Sequence, residues 1–161
     1  MKEKLFERSY VEIRELADGR QAVVGSIYKL IEEDDCPDLS WLETIQDQDG
    51  NIISSCRYSN DDFKKYGKEK VQEWIDQDRE RLESYGVGWY MVGVRAAAEI
   101  YIPFGDFFVV QTIESPGLWG IESDSGEDYF KETFKSELKI LEEMLRKLNV
   151  AGVEVIQDIA A

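Results

Sequence analysis

Carboxylates carry most of the chemistry available to this chain. One run holds Glu32, Glu33, Asp34, Asp35 and Asp38, and a second holds Glu122, Asp124, Glu127 and Asp128. Oxygen donors this close together could bind Mg²⁺ or Ca²⁺. The second group equally fits the start of a helix, with Asp124 or Ser125 as N-cap and Glu127 and Asp128 favoured by the dipole in the first turn. Capping explains these residue types without a ligand, so neither a metal nor any other cofactor is expected. Asp47-Gln48-Asp49-Gly50-Asn51 fails as a calcium loop, because counting from Asp47 puts Ile52 where the sixth-position glycine belongs. A hairpin turn at Asp49-Gly50 is the better expectation.

The chain has no histidine, which removes Ser-His-Asp and Cys-His catalysis within it. Cys36 and Cys56, the two cysteines, have neither CxxC spacing nor a disulfide framework. Cys36 follows a run of acids, a poor setting for a nucleophilic thiolate. Gly117, Gly120 and Gly126 do not make a nucleotide-binding loop. A carboxylate pair for general acid–base work is available among 34 acids, but no pair stands out. No catalytic residue is assigned, and a non-enzymatic protein is expected. One further segment is unusual: Leu118 and Trp119 stand between Gly117 and Gly120, on an expected turn just before the last helix. Burial as a plug at the end of a sheet is the preferred reading of Trp119. Its alternative is an aromatic anchor inside an acidic rim, as at interface hot spots.

The net charge is −15, from 34 acids and 19 bases. No Lys or Arg occurs between Lys29 and Arg57, or between Arg95 and Lys131. Those spans hold eight and seven acids, together equal to the whole imbalance. If the two spans meet, one face of the molecule is strongly negative. Such a face would receive a basic partner; alternatively, the acidity serves only solubility. Direct binding of nucleic acid is disfavoured, since phosphate contacts need clustered Lys and Arg.

At 161 residues and 43% hydrophobic, the chain suits one domain with its own core, with residues 150–161 as a loose tail or an edge strand. MKEKLFERSY has no apolar core of a signal peptide, and the apolar run Gly86–Val94 is too short to span a bilayer. A cytoplasmic protein is expected. Phe130, Phe134, Leu138, Leu141, Leu145 and Leu148 fall on one stripe of a long helix, each worth roughly 1.5–3 kcal/mol when buried. Lys68–Tyr85 predicts a second amphipathic helix, with Val71, Trp74, Ile75, Leu82 and Tyr85 inward. Gly88–Pro103 alternates as a long strand, Tyr90, Val92, Val94, Ala96, Ala98, Ile100 and Ile102 sharing one face, and Phe107–Glu114 returns as its partner. Ser9–Leu16 and Gln21–Ile31 read as a hairpin joined through Ala17–Arg20. The fold class is α+β: a mostly antiparallel sheet of about four or five strands packed against two amphipathic helices. An exposed edge strand would support a homodimer, though no motif requires one.

Three stretches, CPDLSWL (36–42), GWYMVGVRAAAEI (88–100) and GLWGIESDSGEDY (117–129), resemble the signature blocks of a small acidic protein family carried by bacterial phages, plasmids and integrated elements. The PDLSWL block departs from that pattern in lacking the following Gly. The resemblance supplies no catalytic residue. It implies a mobile-element accessory protein acting on host machinery, including restriction and CRISPR defences. Joined to the charge, the expectation is a DNA-mimic-like inhibitor. Its acids Glu32, Glu33, Asp34, Asp35, Asp38, Glu122, Asp124, Glu127 and Asp128, with Trp119, would bind a host protein's basic nucleic-acid-binding surface. The alternatives are a carboxylate-based, metal-assisted enzyme on a small molecule and a structural accessory protein.

Overall fold

The computed structural model describes residues 1–18 and 21–161. Its fold is α+β, and the chain forms two compact units, Met1–Asp34 with Met91–Ala161, and Asp35–Tyr90.

In the first unit the elements are β1 (Lys2–Glu7), α1 (Tyr10–Ala17), β2 (Val23–Glu33), β3 (Met91–Phe104), β4 (Phe107–Glu114), β5 (Leu118–Glu122), α2 (Glu127–Lys147) and α3 (Val155–Ala160). All strand pairs in the sheet are antiparallel. The order is β1-β2-β3-β4, and β5 joins β3 on the same side as β4, nearer the start of β3. As expected from alternation, Val92, Val94, Ala96, Ala98 and Ile100 of β3 are buried together with Phe134, Leu138, Leu141 and Leu145 of α2. Tyr90 precedes the strand and is exposed. Leu148 lies one residue past α2 and is 57% exposed, so it is not part of the buried stripe.

Several expectations are corrected. Ser9–Leu16 is helical, because Ser9 and Glu12 form a capping box: Ser9 Oγ accepts from the Glu12 N–H at 3.2 Å, and a Glu12 carboxylate oxygen accepts from the Ser9 N–H at 2.7 Å. Those bonds satisfy orphan donors that an extended chain would not have. Ile13 and Ala17 then face Val23 in a small cluster. The partner of β2 is β1 instead, and Gly19 and Arg20 of the expected turn lie outside the described residues. A register shift between Val24 and Ser26 makes Gly25 a bulge, so Val24 and Ile27 both reach the α2 side, breaking the simple alternation. Gly117–Glu122 is not merely a turn but contributes strand β5. Residues 150–161 are neither loose nor an edge strand: Val150, Val153, Val155 and Ile156 are buried, and α3 packs into the main core. Their spacing gave no period long enough to read.

The second unit contains a single 3-10 turn (Ser40–Leu42), β6 (Thr44–Gln46), β7 (Ile52–Ser55), α4 (Asn60–Tyr66) and α5 (Lys68–Glu83). The hairpin of β6 and β7 forms where Asp49-Gly50 predicted it. Asp47 holds the turn by accepting from the N–H groups of Asp49 (2.9 Å) and Asn51 (2.8 Å). The short helix α4 was not foreseen; Gly67, at φ +88°, separates it from α5. Leu42, Val71, Ile75 and Trp89 are almost fully buried. Trp89 donates from Nε1 to the Arg81 carbonyl at 2.7 Å, and the Arg81 guanidinium sits 3.8 Å above its ring. The buried Asp78 accepts from Arg57 (2.8 Å) and from the Tyr58 hydroxyl (3.0 Å).

Truncating Leu138 to Ala is expected to destabilise the protein by about 2–5 kcal/mol in urea unfolding. Leu148→Ala should change stability by no more than about 0.5 kcal/mol. Equal costs at the two positions would contradict the packing described.

Candidate binding surface

The sheet gathers much of the predicted acid set onto one end. Glu32 lies opposite Gly93 and Glu33 opposite Val92. Continuing that direction, the Asp34 N–H donates to the Met91 carbonyl at 2.9 Å, and Met91 pairs on its other side with Glu122 of β5. Asp34, Met91 and Glu122 thus form one row across three strands. Glu33 takes its place beside this row, and Asp124 follows Glu122 in the turn into α2.

Alternation places Glu32, Arg95 and Glu114 on the sheet face opposite α2. Arg95 donates one guanidinium nitrogen to Glu32 and another to Glu114. A single cation between two carboxylates leaves the group net negative. The indole of Trp119 completes it, with its ring 5.6 Å from the Arg95 guanidinium. Two glycines permit this packing. A Cβ on Gly93 would stand 2.3 Å from Trp119 Cε3, and one on Gly117 would stand 2.4 Å from Arg95 Cγ. Gly117 also has φ +88°, which disfavours side chains. The loop before β5 is anchored from α2, where the buried Glu137 accepts from the Gly117 N–H at 3.0 Å. Ser115, 1% exposed, pairs with Ala96 through its N–H (2.8 Å), and its hydroxyl accepts from the Ala96 N–H (3.0 Å).

Trp119 is 41% exposed, which overturns the expectation of a buried plug. The glycines let the indole lie flat on the outer face of the strand, and its Nε1 donates to the Pro116 carbonyl at 3.2 Å. Leu118, paired with Val94, is exposed on the other face of β5. Next to Arg95, a hollow of about 220 Å³ is lined by Lys2, Leu30, Glu32, Ala97, Thr112 and Glu114.

The other predicted residues fall elsewhere. Glu127 and Asp128 occupy the first turn of α2 as expected, but Gly126 is the N-cap, in place of Asp124 or Ser125. Glu127 is paired with Lys131 at 3.0 Å, and that hydrogen bond holds its carboxyl below the usual range. Asp35 and Asp38 belong to the second unit. There Asp38 accepts from the Ser40 N–H at 3.0 Å at the start of the 3-10 turn, and its bonds to Ser40 lower its pKa. Among the described residues, no three His, Cys, Asp or Glu side chains converge as a metal-binding group, and no helix is long and apolar enough to cross a membrane.

Reading charge by segment missed one acidic surface. Glu69, Glu73, Asp76 and Glu80 recur at spacings of four, three and four, and all four are exposed on α5. They form a stripe about 16 Å long on one side of that helix. Lys68, Lys70, Arg79 and Arg81 are interleaved with the six acids of α5, so the helical period is what separates the signs. Glu73 is paired with Lys70 and Asp76 with Arg79.

The chain matches no family model, no curated protein and no solved structure.

Replacing Gly93 with Ala is expected to cost about 1–3 kcal/mol by driving a methyl group into the indole. In a Trp119→Ala background the same change should cost much less, giving a coupling readable in a double-mutant cycle. Equal costs in the two backgrounds would show that the indole does not rest on Gly93.

Proposed function

We propose that this protein is a non-enzymatic accessory protein that binds a partner's basic nucleic-acid-binding surface through the acidic end of its sheet. In doing so it keeps DNA or RNA off that surface. The observation that carries the reading is the Asp34–Met91–Glu122 row, which merges parts of two acidic spans far apart in sequence into one patch. At its side, Trp119 supplies exposed apolar area next to the Glu32–Arg95–Glu114 group, the composition of an interface anchor. An indole face also attracts Arg and Lys, the residues that line phosphate-binding grooves. The acidic stripe on α5 gives the second unit the same preference for a basic partner. The resemblance to a mobile-element family adds the context of host defence, with restriction and CRISPR enzymes as the partner class.

The test is displacement. Protein immobilised at low salt is expected to retain a nucleic-acid-handling enzyme from bacterial lysate and release it as salt rises. The free protein should then displace labelled nucleic acid from that purified enzyme. Asp34→Lys, Glu122→Lys and Asp124→Lys together should weaken displacement at least tenfold, and Trp119→Ala by a similar factor, on the order of 1.4 kcal/mol or more. A triple variant that displaces as well as the parent protein would falsify the assignment to this patch.

A further inference from the structure

The sheet of the first unit treats its two outer strands differently. At one edge, β1 reads KEKLFE, four of its six residues charged, and its pairing is broken by a register shift between Lys4 and Phe6. Charges and bulges of this kind keep an edge from pairing with another chain. At the other edge, β4 reads FFVVQTIE, with no Lys, no Pro and only Glu114 charged. Its eight pairs with β3 run from Ala97↔Glu114 to Phe104↔Phe107 without a shift. Most of the strand is exposed, with Phe107 at 58% and Val110 at 49%, and Phe104 at the hairpin tip is exposed too.

We propose that β4 pairs with β4 of a second copy of this chain, antiparallel about a two-fold axis at Gln111, extending the sheet across a homodimer. This inference goes beyond the binding reading above and does not depend on it.

Backbone alternation determines which groups are free. Ser115 bonds to Ala96, and bonded pairs alternate along an antiparallel ladder. Ile113, Gln111, Val109 and Phe107 therefore point their N–H and C=O groups at β3. Pro103, which has no N–H, correctly falls opposite Phe108 at a non-bonded position. Phe108, Val110, Thr112 and Glu114 are left with backbone groups directed outward. These rows can join in two central registers. Centring the axis on Val110 would set Glu114 against Asp106 of the other copy, two acids face to face. Centring it on Gln111 sets Val110 opposite Thr112, Val109 opposite Ile113 and Phe108 opposite Glu114, with no like charges paired.

The self-complementary register and the area both suit a second copy as the occupant, and β4 is the place where two acidic copies can approach. Two molecules of net charge −15 repel over most of their surfaces, and β4 is a long exposed strand with almost no charge. The exposed parts of Phe107, Val109, Val110, Gln111 and Thr112, with the backbone row, come to about 500 Å² per copy, or roughly 1,000 Å² in all. That reaches the lower limit for a specific interface, so a weak dimer of roughly micromolar affinity is expected.

The experiment is sedimentation equilibrium of the full chain from about 1 to 200 µM, with parallel oxidative cross-linking in a Cys36→Ser, Cys56→Ser background. The proposal expects a concentration-dependent dimer that Val110→Lys abolishes, with circular dichroism showing the variant folded. Gln111→Cys should cross-link, since its two copies face each other at a non-bonded pair about 4.5 Å apart, within disulfide reach. Thr112→Cys, opposite Val110, should not. A monomer throughout the range, as expected if the edge instead serves a different protein's strand, overturns the proposal. A dimer indifferent to Val110→Lys, or cross-linking as efficient at 112 as at 111, overturns it equally.

Discussion

Close approach of α2 to β3 is the contact on which the larger unit depends. Ala96 and Ala98 keep the middle of the strand low, so Leu138, Leu141 and Leu145 can reach it and become almost fully buried. Val92, Val94 and Ile100 fill the ends of the same surface. The hydrophobic term scales with apolar area removed from water, and this layer is the largest buried apolar cluster. The two sheet faces then diverge in character. On β3 the α2 side is apolar from Val92 to Ile102, whereas the opposite face carries Arg95 and Glu99 and accepts polar and aromatic neighbours.

That divergence makes room for the Trp119 cluster. β3 is 14 residues long, and its outer edge is shared by β4 and β5 in succession. Between them the chain must kink at Ser115–Gly117, and buried polar groups tie the kink down. Ser115 bonds back to Ala96, and Glu137 reaches from α2 to the Gly117 N–H. Leaving such groups unpaired in the interior would cost about 1–3 kcal/mol each. The same kink directs Trp119 onto Gly93 and Arg95 and leaves the indole half exposed. An indole held this way is fixed in advance, so in the proposed binding little entropy would be lost in ordering it.

Long periodic elements were legible in the sequence, and short or irregular ones were not. The stripe in α2, the alternation of β3 with its return strand β4, the helix after Lys68 and the Asp49-Gly50 turn each carried enough repeats or a specific turn signal. Ser9–Leu16 was misread because eight residues of mixed pattern fit a strand as well as a helix; the Ser9–Glu12 box was the signal that could have decided it. β5 was read as a turn because Gly117 and Gly120 look like breakers, when Gly117 serves close packing of Arg95 and Trp119 and Gly120 takes a φ of +73° within the strand. The tail was misread because its burial comes from contacts with distant strands: Ala151 bridges Val23 and also accepts from the Val24 N–H at 3.0 Å.

By itself, the sequence determined the α+β class, the absence of histidine-based chemistry and the confinement of excess acid to two spans, because composition and period are local properties. It also placed Glu127 and Asp128 at a helix start. Only the tertiary structure decided which acids become neighbours. Strand register sets Asp34 and Glu122 on either side of Met91, and Asp35 and Asp38 fall in the other unit. Exposure of Trp119 was likewise decided there, since it follows from the missing Cβ atoms of Gly93 and Gly117. Register and close approach arise from pairings between distant segments, which no window of neighbouring residues contains.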